Sequence, residues 1–108
     1  MGYDMKNELE LEVLSQDEFD EETRRAIKFY LEDEFFSSLK SYLETEDYNM
    51  AKDMVKGLYV LAGELRLFAL YQGLLDIYED LDFEEYGPVN QHYEIMIKEY
   101  RRLREVFR

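Results

Sequence analysis

The sequence predicts an all-α protein, an up-and-down bundle of four long helices with an additional short helix near the N-terminus. Through most of the chain, apolar residues recur three and four positions apart, which is the spacing of an amphipathic helix. One proline and five glycines among 108 residues leave few places where a helix must break. A chain of this length can bury one core without disulfide bonds, which suits its lack of cysteine.

The chain divides into an N-terminal arm and one domain. Residues 1–14 are predicted to be extended or flexible, and residues 15–108 are predicted to form a single helical domain. Within the arm, Leu9, Leu11 and Val13 alternate with glutamates in the manner of a strand, but no second strand-like run is present to pair with them. The arm is therefore either frayed or an edge strand that pairs with another chain.

The first two helices are predicted from a cap and two apolar stripes. Ser15 and Glu18 form a capping-box pair, so the short first helix is expected to start there. An acidic break at Glu32–Glu34 separates it from the second helix, which is expected to end near a polar turn at 45–47. The stripe of the first helix comprises Phe19, Ala26, Ile27, Tyr30 and Leu31. The stripe of the second comprises Phe35, Phe36, Leu39, Tyr42 and Leu43.

The third and fourth helices are predicted to form a hairpin. Asp47 is a suitable N-cap for the third helix. A very tight turn at Gly63–Glu64 is expected to lead into the fourth helix, which begins around Leu65. The predicted buried positions of the third helix are Ala51, Met54 or Val55, Leu58, and Leu61 with Ala62. Those of the fourth are Leu67, Leu70, Tyr71, Leu74, Ile77, Tyr78 and Leu81.

The last helix follows a loop and has the most regular pattern in the chain. Pro88 suits its first turn. Its apolar residues alternate in steps of four and three, as in the seam of a bundle, and they are Val89, Tyr93, Met96, Tyr100, Leu103 and Phe107. Its last turns carry a basic patch that suits the negative end of the helix dipole, formed by Lys98, Arg101, Arg102, Arg104 and Arg108.

Charge and composition argue against several functions. The formal net charge of −13 disfavours binding to nucleic acid or to an anionic membrane. No apolar run reaches the roughly 20 residues of a membrane span, so the cytoplasm is the expected location. No metal or cofactor is expected, because the chain lacks cysteine, a Glu-x-x-His pair and a calcium loop. No nucleophile, base and orienting group occur together, so the protein is not expected to be an enzyme.

The segment FYLEDEFFSSLKSYLETEDYNMA combines an aromatic-acidic stretch, a helix ending in leucine and the pattern Asp-aromatic-x-x-Ala. This order resembles the lead-in to the reactive helix of histidine phosphotransfer (HPt) domains, and the resemblance extends from about Ile27 to Phe107. The family then carries the pattern H-x-L-K-G. In one alignment its histidine falls on Lys56 and its leucine on Leu58, while Tyr59 and Val60 replace its lysine and glycine.

A second alignment is shifted by three residues. Lys56 and Gly57 then match the Lys-Gly of the pattern, which puts Asp53 in the place of the histidine and Val55 in the place of the leucine. A lysine ammonium has no lone pair at pH 7, and an aspartate is a poor nucleophile that a phosphoryl group repels. In either alignment, the resemblance implies an HPt-type bundle that lacks the phospho-acceptor histidine.

The resemblance also implies a surface that binds a partner. In HPt domains the corresponding face meets the acidic phospho-acceptor pocket of a receiver domain. The chain is therefore expected to be a non-catalytic adaptor in two-component signalling, whose partner is the receiver domain of a response regulator or a histidine kinase. The implied partner-binding residues are Lys52, Lys56, Gly57, Tyr59, Val60 and Gly63. The alternative is that Lys52 and Lys56 only solvate the outer face of the helix and pair with nearby acids.

Two further hypotheses do not depend on the resemblance. The acidic chain is suited to act as an inhibitor or DNA mimic that binds a basic protein. It is equally suited to act as a structural bundle that forms a homodimer through the N-terminal arm or the last helix. The only histidine, His92, lies near the start of that helix and is expected to be a surface or partly buried residue without an acceptor role.

Overall fold

The computed structural model describes residues 19–108, which form five helices joined by short connections. The helices are α1 (Glu21–Leu31), α2 (Phe35–Glu44), α3 (Tyr48–Glu64), α4 (Phe68–Asp82) and α5 (Val89–Val106). No strand occurs among the described residues. The predicted N-terminal arm and the capping box at Ser15 and Glu18 lie outside them.

The helices pack in chain order around one core. Helix α2 packs against α3, α3 against α4, and α4 against α5, while the short α1 packs against α5. The predicted all-α bundle with an additional short helix near its N-terminus is therefore confirmed. Fully buried side chains come from every helix and from the α3–α4 turn, and the largest are Ile27, Leu39, Val55, Leu58, Leu67, Leu70, Leu74, Ile77, Met96 and Leu103.

Two tyrosine hydroxyls attach the end of α1 to distant parts of the bundle. The Tyr30 hydroxyl donates a hydrogen bond of 2.6 Å to the carbonyl oxygen of Leu58 in α3. The Tyr100 hydroxyl in α5 donates one of 2.6 Å to the carbonyl oxygen of Leu31. Between them lies Phe36, whose ring centroid is 4.3 Å from that of Tyr100 and 5.4 Å from that of Tyr30. The corner between α1 and α2 is thereby held against both α3 and α5.

The predicted helix start at Ser15 lies outside the described residues. Helix α1 begins at Glu21, because Asp20 has an extended backbone and its carboxylate accepts a 2.7 Å hydrogen bond from the backbone amide of Thr23. The predicted cap of α3 is confirmed, since the Asp47 carboxylate accepts a hydrogen bond from the amide of Met50.

Helices α2, α3 and α4 end in the same kind of turn. The second residue after each helix has a left-handed backbone, with φ of 58° at Glu46, 64° at Arg66 and 56° at Glu84. In each turn the amide of the following residue donates to the carbonyl oxygen five positions earlier, in the Schellman pattern, as from Leu67 to Ala62 at 2.9 Å. None of the three left-handed positions carries glycine, the residue that adopts this conformation at least cost.

The turn between α3 and α4 lies later in the chain than expected. Gly63 and Glu64, the predicted break, are both helical, and the turn consists of the three residues after them, ending at Leu67. A glycine usually marks such a turn, but here the left-handed residue is Arg66. Gly63 allows α4 to pack close to α3, because a Cβ atom at this position would lie only 3.2 Å from the ring of Tyr71.

Three predicted apolar positions prove to be exposed. Leu61 is 43% exposed and Phe35 is 38% exposed, and Ala26 also faces solvent. On a helix of 3.6 residues per turn, Leu61 and Ala62 point about 100° apart, so the helix can turn only one of them toward the centre of the core. In α3 that residue is Ala62, and two turns earlier it is Val55 and not Met54.

Candidate functional site

Three of the residues expected to bind a partner lie along the seam between α3 and α4. Lys52 extends to the end of α4, where its Nζ atom lies 2.7 Å from Oδ1 of Asp82 and 5.7 Å from the ring centroid of Tyr78. The hydrogen bond to Asp82 raises the pKa of the Lys52 ammonium. The charge of Lys52 is therefore already matched by a carboxylate of the same chain.

Tyr59 belongs to a row of half-buried rings that we call the tyrosine ladder, formed by Tyr59, Tyr71 and Tyr78. The ring centroid of Tyr59 lies 5.7 Å from that of Tyr71 and 5.3 Å from that of Tyr78, and both contacts are edge-on. Edge-on pairs of this kind are favourable because the positive edge of one ring meets the negative face of the other. Gly63 lies at one end of the ladder, under Tyr71.

The other three predicted residues face solvent, and together they define the α3 outer face: Lys56, Gly57 and Val60. Lys56 is exposed, and its ammonium has no hydrogen bond or ion pair with any of residues 19–108. No atom lies within 4 Å of the position a Cβ atom of Gly57 would take. Val60 is 44% exposed. The α3 outer face therefore offers a cation, bare backbone and a small apolar side chain side by side.

The two alignments suggested by the resemblance match the histidine of the HPt pattern with Lys56 or with Asp53. Both residues are exposed on α3, one turn apart. In the second alignment the leucine of the pattern matches Val55, whose side chain is completely buried. Both Lys56 and Asp53 are thus accessible to a protein that approaches α3 from outside.

Sequence reasoning missed two features of this end of the bundle. It assigned Tyr71 and Tyr78 to the core, whereas both rings are only half-buried and lie beside the partner-binding residues expected on α3. It also missed the contact between His92 in α5 and Asp80 in α4. Nδ1 of His92 lies 2.5 Å from Oδ2 of Asp80, and Asp80 is only 8% exposed.

The His92–Asp80 contact joins α4 to the start of α5. A carboxylate that accepts a hydrogen bond from Nδ1 holds the imidazole in one orientation. The His92 side chain is 32% exposed to solvent. The two residues are 12 positions apart, on different helices, and no spacing rule links them.

Two further properties concern the described part of the chain. None of its helices combines the length and the apolar character that crossing a membrane requires. Within residues 19–108, histidine, aspartate and glutamate side chains form no group of three or more that is suited to hold a metal ion.

The arrangement defines a helical bundle with one exposed lysine, Lys56, on the α3 outer face and a tyrosine ladder beside it. Comparisons of the chain with protein-family models, with curated proteins and with solved structures found no match.

Proposed function

We propose that this protein is a non-catalytic, HPt-like adaptor that acts in the cytoplasm, in two-component signalling. It binds the receiver domain of a response regulator, or a histidine kinase, without carrying a phosphoryl group. The observation that carries the proposal is the state of Lys56, an exposed ammonium with no partner within residues 19–108 and with the bare backbone of Gly57 beside it.

Charge explains why Lys56 suits such a partner. The pocket in which a receiver domain is phosphorylated is lined by carboxylates, and a lysine on a flexible stem can pair with a carboxylate or an aspartyl phosphate. Lys52 is less suited to this role, because it already pairs with Asp82 at 2.7 Å. On the α3 outer face, Lys56 is therefore the one side chain proposed to recognise an acidic pocket.

The tyrosine ladder supports the same surface. Tyr59 is half-buried, packs edge-on against both ladder rings of α4, and lies on the same stripe of α3 as Lys56. Tyrosine is enriched at the energetically important centres of protein interfaces, because its ring buries much apolar area and its hydroxyl still finds a polar partner. A partner seated on Lys56 and Val60 would therefore also cover part of Tyr59.

The direct test is a binding measurement with the receiver domains of the organism that makes this protein. Biolayer interferometry should detect binding to at least one of them. The Lys56→Glu variant should weaken it at least about tenfold, since it puts a carboxylate against an acidic pocket. The matched control is Lys40→Glu, which makes the same charge change at an exposed lysine of α2. The proposal fails if no receiver binds, or if both variants lose affinity equally.

A second measurement addresses the missing chemistry. When a receiver that carries a labelled aspartyl phosphate is mixed with this protein, the label should stay on the receiver, because Lys56 and Asp53 offer no neutral nitrogen nucleophile. Transfer of label to the protein would contradict the non-catalytic part of the proposal while leaving the binding part standing.

The competing function is that of an acidic inhibitor or DNA mimic, and the excess of 26 acidic over 13 basic residues favours it. Such a protein would bind a basic partner through many carboxylates, so that its affinity would collapse as salt is added. An HPt-like adaptor would instead meet an acidic partner, and screening of the long-range repulsion would offset the weakening of the Lys56 contact. A steep loss of affinity with added salt would therefore indicate the acidic inhibitor, and a weak salt dependence would indicate the adaptor.

A further inference from the structure

A groove of about 540 Å³ lies between the C-terminal ends of α1 and α5, away from the α3 outer face. Leu31, Tyr100 and Phe107 give it an apolar floor. Basic side chains from both helices line its walls, together with the two carboxylates of Glu32 and Glu105. Its volume falls in the range of small-molecule sites, roughly 300 to 1,000 Å³.

The cations of this groove are poorly neutralised. Arg108 pairs with Glu105 at 2.8 Å, but Lys28, Arg101 and Arg104 have no ion-pair partner in the part of the chain that the structure describes. Carboxylates are not scarce, because acidic residues outnumber basic residues by 26 to 13. Three cations that have no carboxylate partner among residues 19–108 are therefore gathered at one place in an acidic protein.

Helix dipoles explain only part of this arrangement. Lys28 and Arg104 lie in the last turns of α1 and α5, where a cation stabilises the unpaired carbonyl groups. Arg101 lies about one turn earlier, where this stabilisation fades. Like charges that line one groove repel one another, and an anion between them would remove that repulsion.

The floor of the groove is held in place before any ligand arrives. The Tyr100 hydroxyl is bonded to the carbonyl oxygen of Leu31, and the guanidinium of Arg104 lies over the Tyr100 ring at 5.8 Å from its centroid. Phe107 is buried, and its ring packs against that of Phe19 at a centroid distance of 5.6 Å. A preordered site loses less entropy when it binds a ligand.

We propose that this groove binds a small phosphomonoester with an apolar or aromatic body. Arg101, Arg104 and Lys28 hold the phosphoryl group, since guanidinium groups donate paired hydrogen bonds to phosphate oxygens. The body of the ligand lies on Leu31 and Phe107. The net charge of −13 repels anions at long range, so affinity has to come from this local set of cations. The site does not depend on the partner proposed for the α3 outer face.

The test uses phenyl phosphate as the probe and the full chain as the protein. Isothermal titration calorimetry should give a Kd below about 1 mM, and the double variant Arg101→Gln/Arg104→Gln should weaken binding at least about tenfold. The matched control is Lys40→Gln/Lys98→Gln, which removes two exposed cations outside the groove. It should keep the wild-type Kd within about twofold, and thermal melts of both variants should show that they fold.

Two further measurements complete the test. Inorganic phosphate should bind more weakly than phenyl phosphate, and equal affinity would overturn the role of the apolar floor. Lys56→Glu should leave phenyl phosphate binding unchanged, which keeps this site distinct from the α3 outer face. Lack of binding at about 10 mM probe, or an equal loss in the two double variants, would overturn the site itself.

Discussion

The hydroxyl of Tyr30 in α1 donates a 2.6 Å hydrogen bond to the backbone carbonyl oxygen of Leu58 in α3, 28 residues further along the chain. Both residues are buried, and the bond crosses from the short helix to the helix that carries the proposed partner surface. A buried hydroxyl without such an acceptor would be unfavourable. The contact therefore links the position of α1 to that of α3.

Replacement of Tyr30 by phenylalanine should lower the free energy of unfolding by about 1 kcal/mol at neutral pH, because the variant loses one buried hydrogen bond and keeps the ring. Urea denaturation followed by circular dichroism measures this difference. A variant as stable as the wild type would show that the bond to Leu58 contributes nothing net.

The same variant should change how stability depends on pH. Burial raises the pKa of the Tyr30 phenol. In the unfolded chain a phenol ionises near pH 10, so above about pH 10 the unfolded state binds fewer protons than the folded state and the free energy of unfolding falls as pH rises. Tyr30→Phe lacks this contribution. Its deficit relative to wild type should shrink between about pH 8 and about pH 11, and a constant deficit would refute the assignment to Tyr30.

Glycine at the left-handed turn positions should stabilise the protein. Each of the single variants Glu46→Gly, Arg66→Gly and Glu84→Gly is expected to raise the free energy of unfolding by about 1 kcal/mol, because a Cβ atom disfavours this backbone conformation. The matched control is Glu64→Gly, at an exposed helical position of α3. It should lower stability by a similar amount, since glycine is a poor helix former. Stabilisation by the control, or destabilisation by the turn variants, would contradict this account.

Two glycines should respond in opposite ways to alanine. A Cβ atom at Gly57 meets no atom within 4 Å, so Gly57→Ala should raise the free energy of unfolding by about 0.5–1 kcal/mol. At Gly73 the Cβ atom would lie 3.2 Å from Cβ and 3.3 Å from Cα of Met96, so Gly73→Ala should force α4 and α5 apart and cost about 1–3 kcal/mol. Thermal and urea unfolding of the two variants measures whether the free energy of unfolding rises for Gly57→Ala and falls for Gly73→Ala.

Gly57→Ala also probes the proposed partner surface. If a partner lies against the bare backbone of Gly57, the added methyl group should weaken binding several-fold although the variant is more stable. Unchanged affinity for a receiver that Lys56→Glu fails to bind would mean that the partner contacts the Lys56 side chain but not the backbone beside it.

The two lysines expected to contact a partner should contribute unequally. Lys56→Ala should weaken receiver binding, because this ammonium is exposed and has no ion pair with any of residues 19–108. Lys52→Ala should leave affinity within about twofold, since the charge it removes is already matched by Asp82. Surface plasmon resonance measures the affinity of both variants for the receiver domain. An equal loss of affinity in the two variants would show that Lys52 leaves Asp82 when the partner binds.

The helices and the core were predictable because they depend on local rules. The steps of four and three through Val89, Tyr93 and Met96 predicted α5, and Asp47 followed by apolar spacing predicted the start of α3; all three α5 residues are buried, and α3 begins as expected. The turn at Arg66 was misplaced because sequence reasoning looked for glycine, and a backbone hydrogen-bond pattern set the turn instead.

The site was less predictable, because its members come from helices that meet only in the fold. The spacing of α3 placed Lys52, Lys56 and Tyr59 on one stripe, but nothing in that helix indicated that Asp82 would match the charge of Lys52 or that Tyr71 and Tyr78 would flank Tyr59. The difference in charge pairing between Lys52 and Lys56 therefore depends on α4.

The bond from Tyr100 to the carbonyl oxygen of Leu31 spans 69 residues, and the bond from Tyr30 to Leu58 spans 28. Helices α3 and α4, by comparison, meet across a three-residue turn. Contacts that close long loops cost more chain entropy, so the hairpin is expected to form early in folding and the docking of α1 late. Weakening either tyrosine bond should then speed unfolding and leave the folding rate almost unchanged. The docking of helix α1 is accordingly expected to control the unfolding rate of the bundle.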